Sequence, residues 1–417
     1  MAQSKMHYAW WIMISSAVIA LTVLGFMSNG VGIFFAPVCE DLGFSRSALS
    51  LYATILQLTM VVSLPIAGKL FPKINIRMLL SVSTIVFASG FFIMSQGHSL
   101  TYWYIAGFLQ GVAGGFLIYL PIPILINNWF KSKTGFALGL ALAFSGVGGA
   151  IINPINQYFI SNFGWRTGYI ALALISLAVS LPFFLFVVRF KPSDMGLQPY
   201  GAEEVKPGSV APELTGVSAS AALKTPSFYL MFFTGALLAL TCNFNAHIPG
   251  YLTSIGYPAM VAATVASTVM IGVIVGKVSL GVLNDKFGLK FASTFGLLGG
   301  ILAMVLMLLG QANVYLIYVG AFCYGLGYSM LTVEPPLILK AIFGQKEFSS
   351  IYSYITTTQA IVGAASVFIF GLIFDLTQSF AADLIIVGAA YLISLIFIFA
   401  ALNFGKNLQS KKNTVEM

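Results

Sequence analysis

Apolar residues along this chain neither alternate nor confine themselves to one helical face. They run unbroken for about 18 residues or more, time after time, with short polar loops between the runs, and each run is long enough to cross a hydrocarbon core about 30 Å thick. The runs predict membrane-spanning helices near 10–36, 47–70, 77–96, 102–127, 134–160, 166–189, 227–252, 260–284, 291–310, 314–339, 349–374 and 381–404, twelve in all. Alternating ten-residue strands are absent, which excludes a membrane barrel. The first run follows Lys5 and His7 as a signal peptide would, but it is too long and lacks a small-residue cleavage site, so it reads as a retained helix.

Composition removes the soluble alternative. Hydrophobic residues make up 59% and charged residues 8% of the 417, with a mean hydropathy of +0.94. A soluble globule has no means of hiding so much apolar surface. Placing the N-terminus in the cytoplasm puts sixteen of the twenty Lys and Arg residues on that side and only Arg46 and Arg166 outside; the other two, Lys277 and Lys340, fall within spans. That asymmetry is what the positive-inside rule requires of a plasma (inner) membrane protein with both termini cytoplasmic. The net charge of +8 then reflects orientation, and no nucleic-acid partner is needed to explain it. The three cysteines, Cys39, Cys242 and Cys323, lie in or beside apolar runs and offer neither a disulfide framework nor a paired-cysteine metal site.

One long polar stretch interrupts the pattern. It predicts an N-terminal six-helix bundle over 1–190, a cytoplasmic linker over 191–225 with Pro192, Pro199, Pro207, Pro212, Glu203 and Glu204, a C-terminal six-helix bundle over 226–405 and a tail over 406–417. The halves are related. Gly68 to Arg77 matches Gly281 to Lys290 at an offset of 213, and Pro121 falls on Pro335 at 214. The expected fold is therefore an all-α membrane protein of two parallel six-helix repeats, a build used by transporters that bind solute near the bilayer midplane.

A charge within a span costs about 2.5 to 3.5 kcal/mol on insertion scales, so such a charge is a functional candidate. Three qualify: Lys277, roughly 12 Å inside the cytoplasmic end of the eighth span, Glu334 at nearly the same expected depth in the tenth, and Lys340 near the end of the tenth, where it snorkels. Glu334 precedes Pro335 and Pro336, which break the helix and free its carbonyls. It is expected to neutralise Lys277 without substrate, to take a proton during coupling, or to form a purely structural salt bridge. Asn29 and Asn243 supply polar groups to the first and seventh spans, although one interhelical hydrogen bond explains either. His247 is a candidate proton carrier or an ordinary hydrogen-bonding residue, and it has no companions at metal-ligand spacing. The glycines from Gly139 to Gly149 lie within an apolar run and follow no strand, so they read as helix packing, not a nucleotide loop. No Walker or GxSxG motif is present, and neither an enzyme nor a cofactor is expected.

Gly281-x-x-x-Asp285-Lys286-x-Gly288-x-Lys290 resembles the cytoplasmic signature loop of the major facilitator superfamily. In the first half Pro72 stands at the Asp position and Asn75 at the second Gly. Gly164-Trp165-Arg166-Thr167-Gly168-Tyr169, the stretch from Arg189 through Gly196 and Tyr200 to Gly201, and Leu223-Lys224-Thr225-Pro226-Ser227-Phe228-Tyr229 are similar to the oxalate:formate antiporter and monocarboxylate transporter branch. The resemblance implies a gating role for Gly281, Asp285, Lys286 and Gly288, and makes Lys277 the partner of a substrate carboxylate. It also implies that Tyr119 and Tyr328 line the site. Gln359 stands where those antiporters carry a second Lys, which favours a monovalent anion.

The expected function is secondary active transport of a small monocarboxylate such as formate, lactate or pyruvate, by proton symport or anion exchange, in a protein that works as a monomer. The alternatives are a proton-coupled carrier of a neutral or cationic solute, using Glu334 as the coupling acid, and a non-transporting membrane sensor.

Overall fold

Capping and breaking residues decide where each apolar run starts and stops in the computed structural model, which describes residues 6–202, 216–310, 313–377 and 379–415. Of the positions singled out above, Lys5, Glu203, Glu204, Pro207 and Pro212 lie outside the described residues, as do the side chains of Asn29 and Arg46. The chain divides into two compact units, Met1–Val205 and Lys206–Met417.

In the first unit α1 (Tyr8–Ile19) continues through a π-helical stretch (Ala20–Asn29) and a short 3-10 turn (Gly32–Phe34) into α2 (Phe35–Leu42). The Ser45 hydroxyl caps α3 (Arg46–Leu70) by accepting the Ala48 N–H at 3.2 Å. Then come α4 (Ile76–Ser95), α5 (Leu100–Leu117), α6 (Pro121–Trp129) and α7 (Thr134–Pro182). The last holds two spans. At Gly164 the backbone takes φ 81° and ψ 162°, a conformation open to glycine, and the chain reverses there. The Val187 carbonyl accepts the Tyr8 hydroxyl at 2.7 Å, and the Tyr8 ring lies 5.3 Å from Trp129, so both ends of the reversed segment return to one face. The glycines of its first half pack as expected: a Cβ on Gly25 would come within 2.6 Å of the Gly148 Cα, so the first and fifth spans touch backbone to backbone.

In the second unit the short α8 (Ala219–Ala222) leads to α9 (Pro226–Asn243), whose Thr225 hydroxyl accepts the Phe228 N–H at 3.3 Å. A 3-10 turn (Phe244–His247) precedes α10 (Ile248–Ser254), α11 (Ala259–Phe287), α12 (Leu289–Leu309), α13 (Val314–Tyr328), α14 (Met330–Phe343), α15 (Phe348–Thr377) and α16 (Ala381–Val415). α16 runs ten residues past the expected boundary at 405. Ten described segments are long and apolar enough to cross a membrane. The reversal at Gly164 splits one of them into two, and α15 brings the spans to twelve.

The repeats carry the same details. In each, the fourth span is broken in the middle: α5 gives way to α6 at Pro121, and α13 gives way to α14 at Ser329, close to Pro335. In each, one end of the linker docks on the loop that follows. Tyr200 pairs with Phe130 and Gly216 with Gly344, and 344 minus 130 is again 214. The signature loop differs between the halves for a local reason. Gly288, at φ 83°, lets α12 begin immediately after α11, whereas Asn75 has φ −59° and uses its Oδ1 to cap α4 through the Arg77 N–H at 3.0 Å.

Candidate functional site

Among the described residues, the charged side chains fully buried within the helices belong to the second unit: Lys277, Glu334 and Asp383. Two were legible as candidates. Asp383 was not counted among them.

Lys277 is 5% exposed on α11. One residue earlier, a Cβ on Gly276 would stand 3.0 Å from the Leu326 Cα and 2.5 Å from the Ser329 Oγ, so the small residue lets α11 approach the break between α13 and α14. The surroundings of Lys277 include Cys242 of α9, within electrostatic reach. The Cys242 thiol donates to the carbonyl of Tyr328 at 3.4 Å, and the Tyr328 ring lies 6.2 Å from Tyr324. The Tyr324 hydroxyl in turn donates to the carbonyls of Thr241 and Cys242 at 2.6 and 3.2 Å. Lys277, Cys242 and Tyr328 thus form one neighbourhood where α9, α11 and α13 meet.

Glu334 sits elsewhere. Its two oxygens accept hydrogen bonds from the Asn284 amide of α11 and, at 2.8 Å, from the Ser293 hydroxyl of α12. Among the described residues no salt bridge is recorded between Glu334 and Lys277, the pairing expected as one alternative above. Asn284 is seven residues beyond Lys277, which is two turns or roughly 10 Å along α11. The carboxylate joins α11, α12 and α14 beside the signature loop. In that loop Gly281 is buried, while Asp285 and Lys286 lie exposed on the last turn of α11. Lys340 is half-buried in the last turn of α14.

Gln359 is 2% exposed on α15, and its amide nitrogen faces the carbonyl of Leu331 at 3.5 Å. That carbonyl lies four residues before Pro335, whose ring has no N–H to return to it. The glutamine therefore serves an acceptor that the proline freed. Asn243 donates to the carbonyl of Ala239 at 2.8 Å within its own helix. The half-buried His247 packs its ring against Phe370 and Phe380 at 5.8 and 6.3 Å. Tyr119, half-buried, belongs to the first unit and stands in the break between α5 and α6.

The segments that carried the resemblance turn out to be anchors. Trp165 Nε1 and Arg166 Nη1 both donate to Asp41 Oδ2 at 3.0 Å. The guanidinium also reaches the Gly97 carbonyl at 3.2 Å and lies 4.1 Å over the Trp165 ring. This clamp joins α2, the α4–α5 loop and α7. The hydrogen bond from Trp165, and after it that from Arg166, holds the Asp41 carboxyl below the usual carboxylate range. A depressed folded-state pKa means stability that is present above the unfolded value of about 3.9 and lost as pH falls through the folded value. Asp41→Asn is expected to lower the melting temperature modestly at neutral pH, because the pair is half exposed. The gap to the parent should close in strongly acidic buffer, and a gap that persists there would assign the loss to packing. The second segment wraps the other face: Trp129 Nε1 donates to the Arg189 carbonyl at 2.9 Å, and Tyr200 packs on His7, Trp10 and Phe130. In the third, Thr225 and Pro226 start α9.

Comparison with known proteins agrees with this architecture. The family profile of the Major Facilitator Superfamily matches residues 17–367. The chain is 26% identical over 285 residues to the MFS-type transporter pynF of Aspergillus niger, covering 67% of this chain and 62% of that protein, so it spans less than two thirds of that relative's length. It is 23% identical over 388 residues to monocarboxylate transporter 13 of Rattus norvegicus, covering 92% of this chain and 86% of that one. It is 22% identical over 410 residues to the uncharacterized MFS-type transporter YcxA of Bacillus subtilis, covering 93% and 94%. Among solved structures, the fucose:proton symporter of E. coli superposes with a TM-score of 0.67 at 16% identity over 94% of this chain and 99% of that one. A bacterial homologue of the iron transporter ferroportin gives 0.72 at 14% identity over 95% and 99%. With twelve spans in two like halves and a profile match over most of its length, the chain belongs to the Major Facilitator Superfamily.

Proposed function

We propose that this protein carries a small monocarboxylate across the plasma membrane, by proton symport or anion exchange in an alternating-access cycle, with both termini cytoplasmic. The single observation behind this reading is the buried Lys277. A cation kept at membrane depth is costly, and an anionic passenger is the solute that it attracts. Tyr328, in the same neighbourhood, would add a hydroxyl donor that orients a carboxylate without adding charge. The signature loop, with Gly281, Asp285, Lys286 and Gly288, is assigned the gating of one end. The similarity to monocarboxylate transporters supports the same substrate class.

Selectivity should follow the charge count. Uptake of a radiolabelled panel into proteoliposomes, with and without an imposed pH gradient, is expected to favour formate, lactate or pyruvate over oxalate. Gln359→Lys, which puts a second cation on α15, should move that preference toward the dicarboxylate. One charge–carboxylate hydrogen bond at about 1.5 kcal/mol corresponds to a shift of roughly tenfold. Accumulation of an amine or a sugar in place of a carboxylate would remove the reading. Unchanged selectivity in the variant would remove Gln359 from the site and leave it only its bond to Leu331.

A further inference from the structure

Asp383 lies in the first turn of α16 and is 0% exposed. Neither of its oxygens has a hydrogen-bond partner. Glu334, equally buried, has both oxygens occupied. Two buried carboxyls in one unit are therefore held in opposite ways, one with a donor on each oxygen and one with no hydrogen-bond donor on either.

The unsatisfied group is also not isolated along its helix. Asp383, Tyr391 and Ser394 are spaced by eight and three residues, which brings them to the same buried side of α16; the Ser394 hydroxyl likewise has no partner, while the Tyr391 hydroxyl faces the Thr241 side chain of α9. Together they span eleven residues, roughly 16 Å of helix. Tyr391 packs on the bare backbone of Gly300 in α12 and Gly327 in α13; a Cβ on Gly327 would stand 3.0 Å from its hydroxyl oxygen. That places the phenol beside Tyr328. Cys242 is within electrostatic reach of Tyr391 and of Lys277 alike. A row of buried polar groups on one side of a helix, with Asp383 and Ser394 lacking protein partners, is an arrangement that internal water satisfies and along which a proton passes.

We propose that Asp383 is a proton-binding site, and that it, not Glu334, holds the coupled proton; the second half of this statement rests on the symport reading given above. The chemistry is one O–H bond made and broken. A proton arriving from the face opposite the linker bonds to a carboxylate oxygen of Asp383, and on release it returns to water, leaving the carboxylate. The site is built for both states. The first-turn N–H groups of α16 favour the anion, and the apolar surround favours the neutral acid. Around this end, α12 presents no titratable side chain, its Lys290 being at the other end. α9 and the turn after it bring Cys242 and His247, and α10 brings Tyr251. The rings of His247 and Tyr251 lie 6.3 and 6.1 Å from Phe380, three residues before Asp383. α15 brings Asp375, whose side chain lies outside the described residues, and Glu334 and Lys340 of α14 lie toward the linker end. Among the described residues, none forms an ion pair with Asp383.

The site and the coupling are tested separately. Infrared difference spectra of the purified protein, taken across a pH titration without substrate, should show a carboxyl band that Asp383→Asn removes and that Lys277→Gln retains. Asp383→Glu should shift the band, which serves as the readout should the Asn variant misfold. A band unchanged in both Asp383 variants overturns the site. In proteoliposomes the parent should concentrate substrate up to about tenfold per unit of imposed pH gradient. Asp383→Asn should lose that accumulation while its substrate counterflow stays within about twofold of the parent. Gradient-driven accumulation by the Asn variant overturns the coupling. A parent that exchanges substrate but ignores the gradient overturns the symport reading, while the infrared result still decides the site.

Discussion

Lys277→Gln should insert and fold as well as the parent, or better, and lose carboxylate transport by roughly 100-fold. Two magnitudes set this expectation, and they act in opposite directions. Removing a charge from membrane depth returns about 2.5 to 3.5 kcal/mol of insertion cost, so the melting temperature should hold or rise. Removing one partner of a buried, hydrogen-bonded charge pair costs about 2 to 5 kcal/mol in binding, which corresponds to a loss of between roughly 30-fold and several thousand-fold. A lysine that serves only the packing of α9, α11 and α13 predicts something else, namely that activity and stability fall together. Thermal unfolding in detergent and uptake in proteoliposomes, measured on one preparation, separate the two. Parental uptake by Lys277→Gln would end the assignment. Lys277→Arg is not a conservative control, since the planar guanidinium needs a wider space beside Cys242 than a compact ammonium does.

How far the sequence revealed this site depends on whether each property is local. Twelve spans and two repeats were readable because length and hydropathy are properties of the chain itself, and because the glycine and proline landmarks recur at offsets of 213 and 214. Lys277 was readable for the same reason: eight residues from the signature Asp, in a continuous helix, is a depth. Glu334 was recognised as a deep charge, with Lys277 as one expected partner. Its neighbours Asn284 and Ser293 come from two other helices. No periodicity records that kind of adjacency.

Asp383 was missed for a related reason. Third in an expected span that starts at 381, it reads as an interfacial charge free to meet water. It is packing such as that of α9 and α12 against α16 that removes the water, and these contacts join segments far apart in the chain. Gln359 carries a signal that was available. A proline inside a helix releases the carbonyl four residues before it, and Pro335 therefore names Leu331 as an acceptor in need of a donor. The resemblance segments delivered family and fold, and they did so through anchors: the Asp41 clamp, the Tyr200 docking site and the Thr225 cap. They carry no part of the Lys277 neighbourhood, which is why a strong likeness in those segments leaves the passenger to be argued from the buried charge.

Glu334→Ala should be the most destabilising single substitution among these residues, and Glu334→Gln close to neutral. Alanine strips the Ser293 hydroxyl and the Asn284 amide of their shared acceptor and leaves a cavity where α11, α12 and α14 meet. Each buried group left without a partner costs about 1 to 3 kcal/mol, so a loss of about 3 kcal/mol is expected. Glutamine keeps an acceptor oxygen for Ser293, and its amide can donate to the Asn284 Oδ1, which has no partner in the parent. The same geometry fixes the outcome of combining Glu334→Gln with Lys277→Gln. A charge pair would show a coupling of several kcal/mol, because each single variant would strand a buried ion. Residues two helical turns apart that share no partner should instead add within about 0.5 kcal/mol. Thermal or denaturant unfolding of the two single variants and the double variant yields that number directly, and a coupling above about 1 kcal/mol would restore the ion pair. Gradient-driven uptake should also survive in Glu334→Gln, since a group whose role is to hold three helix ends together can lose its charge without losing its hydrogen bonds.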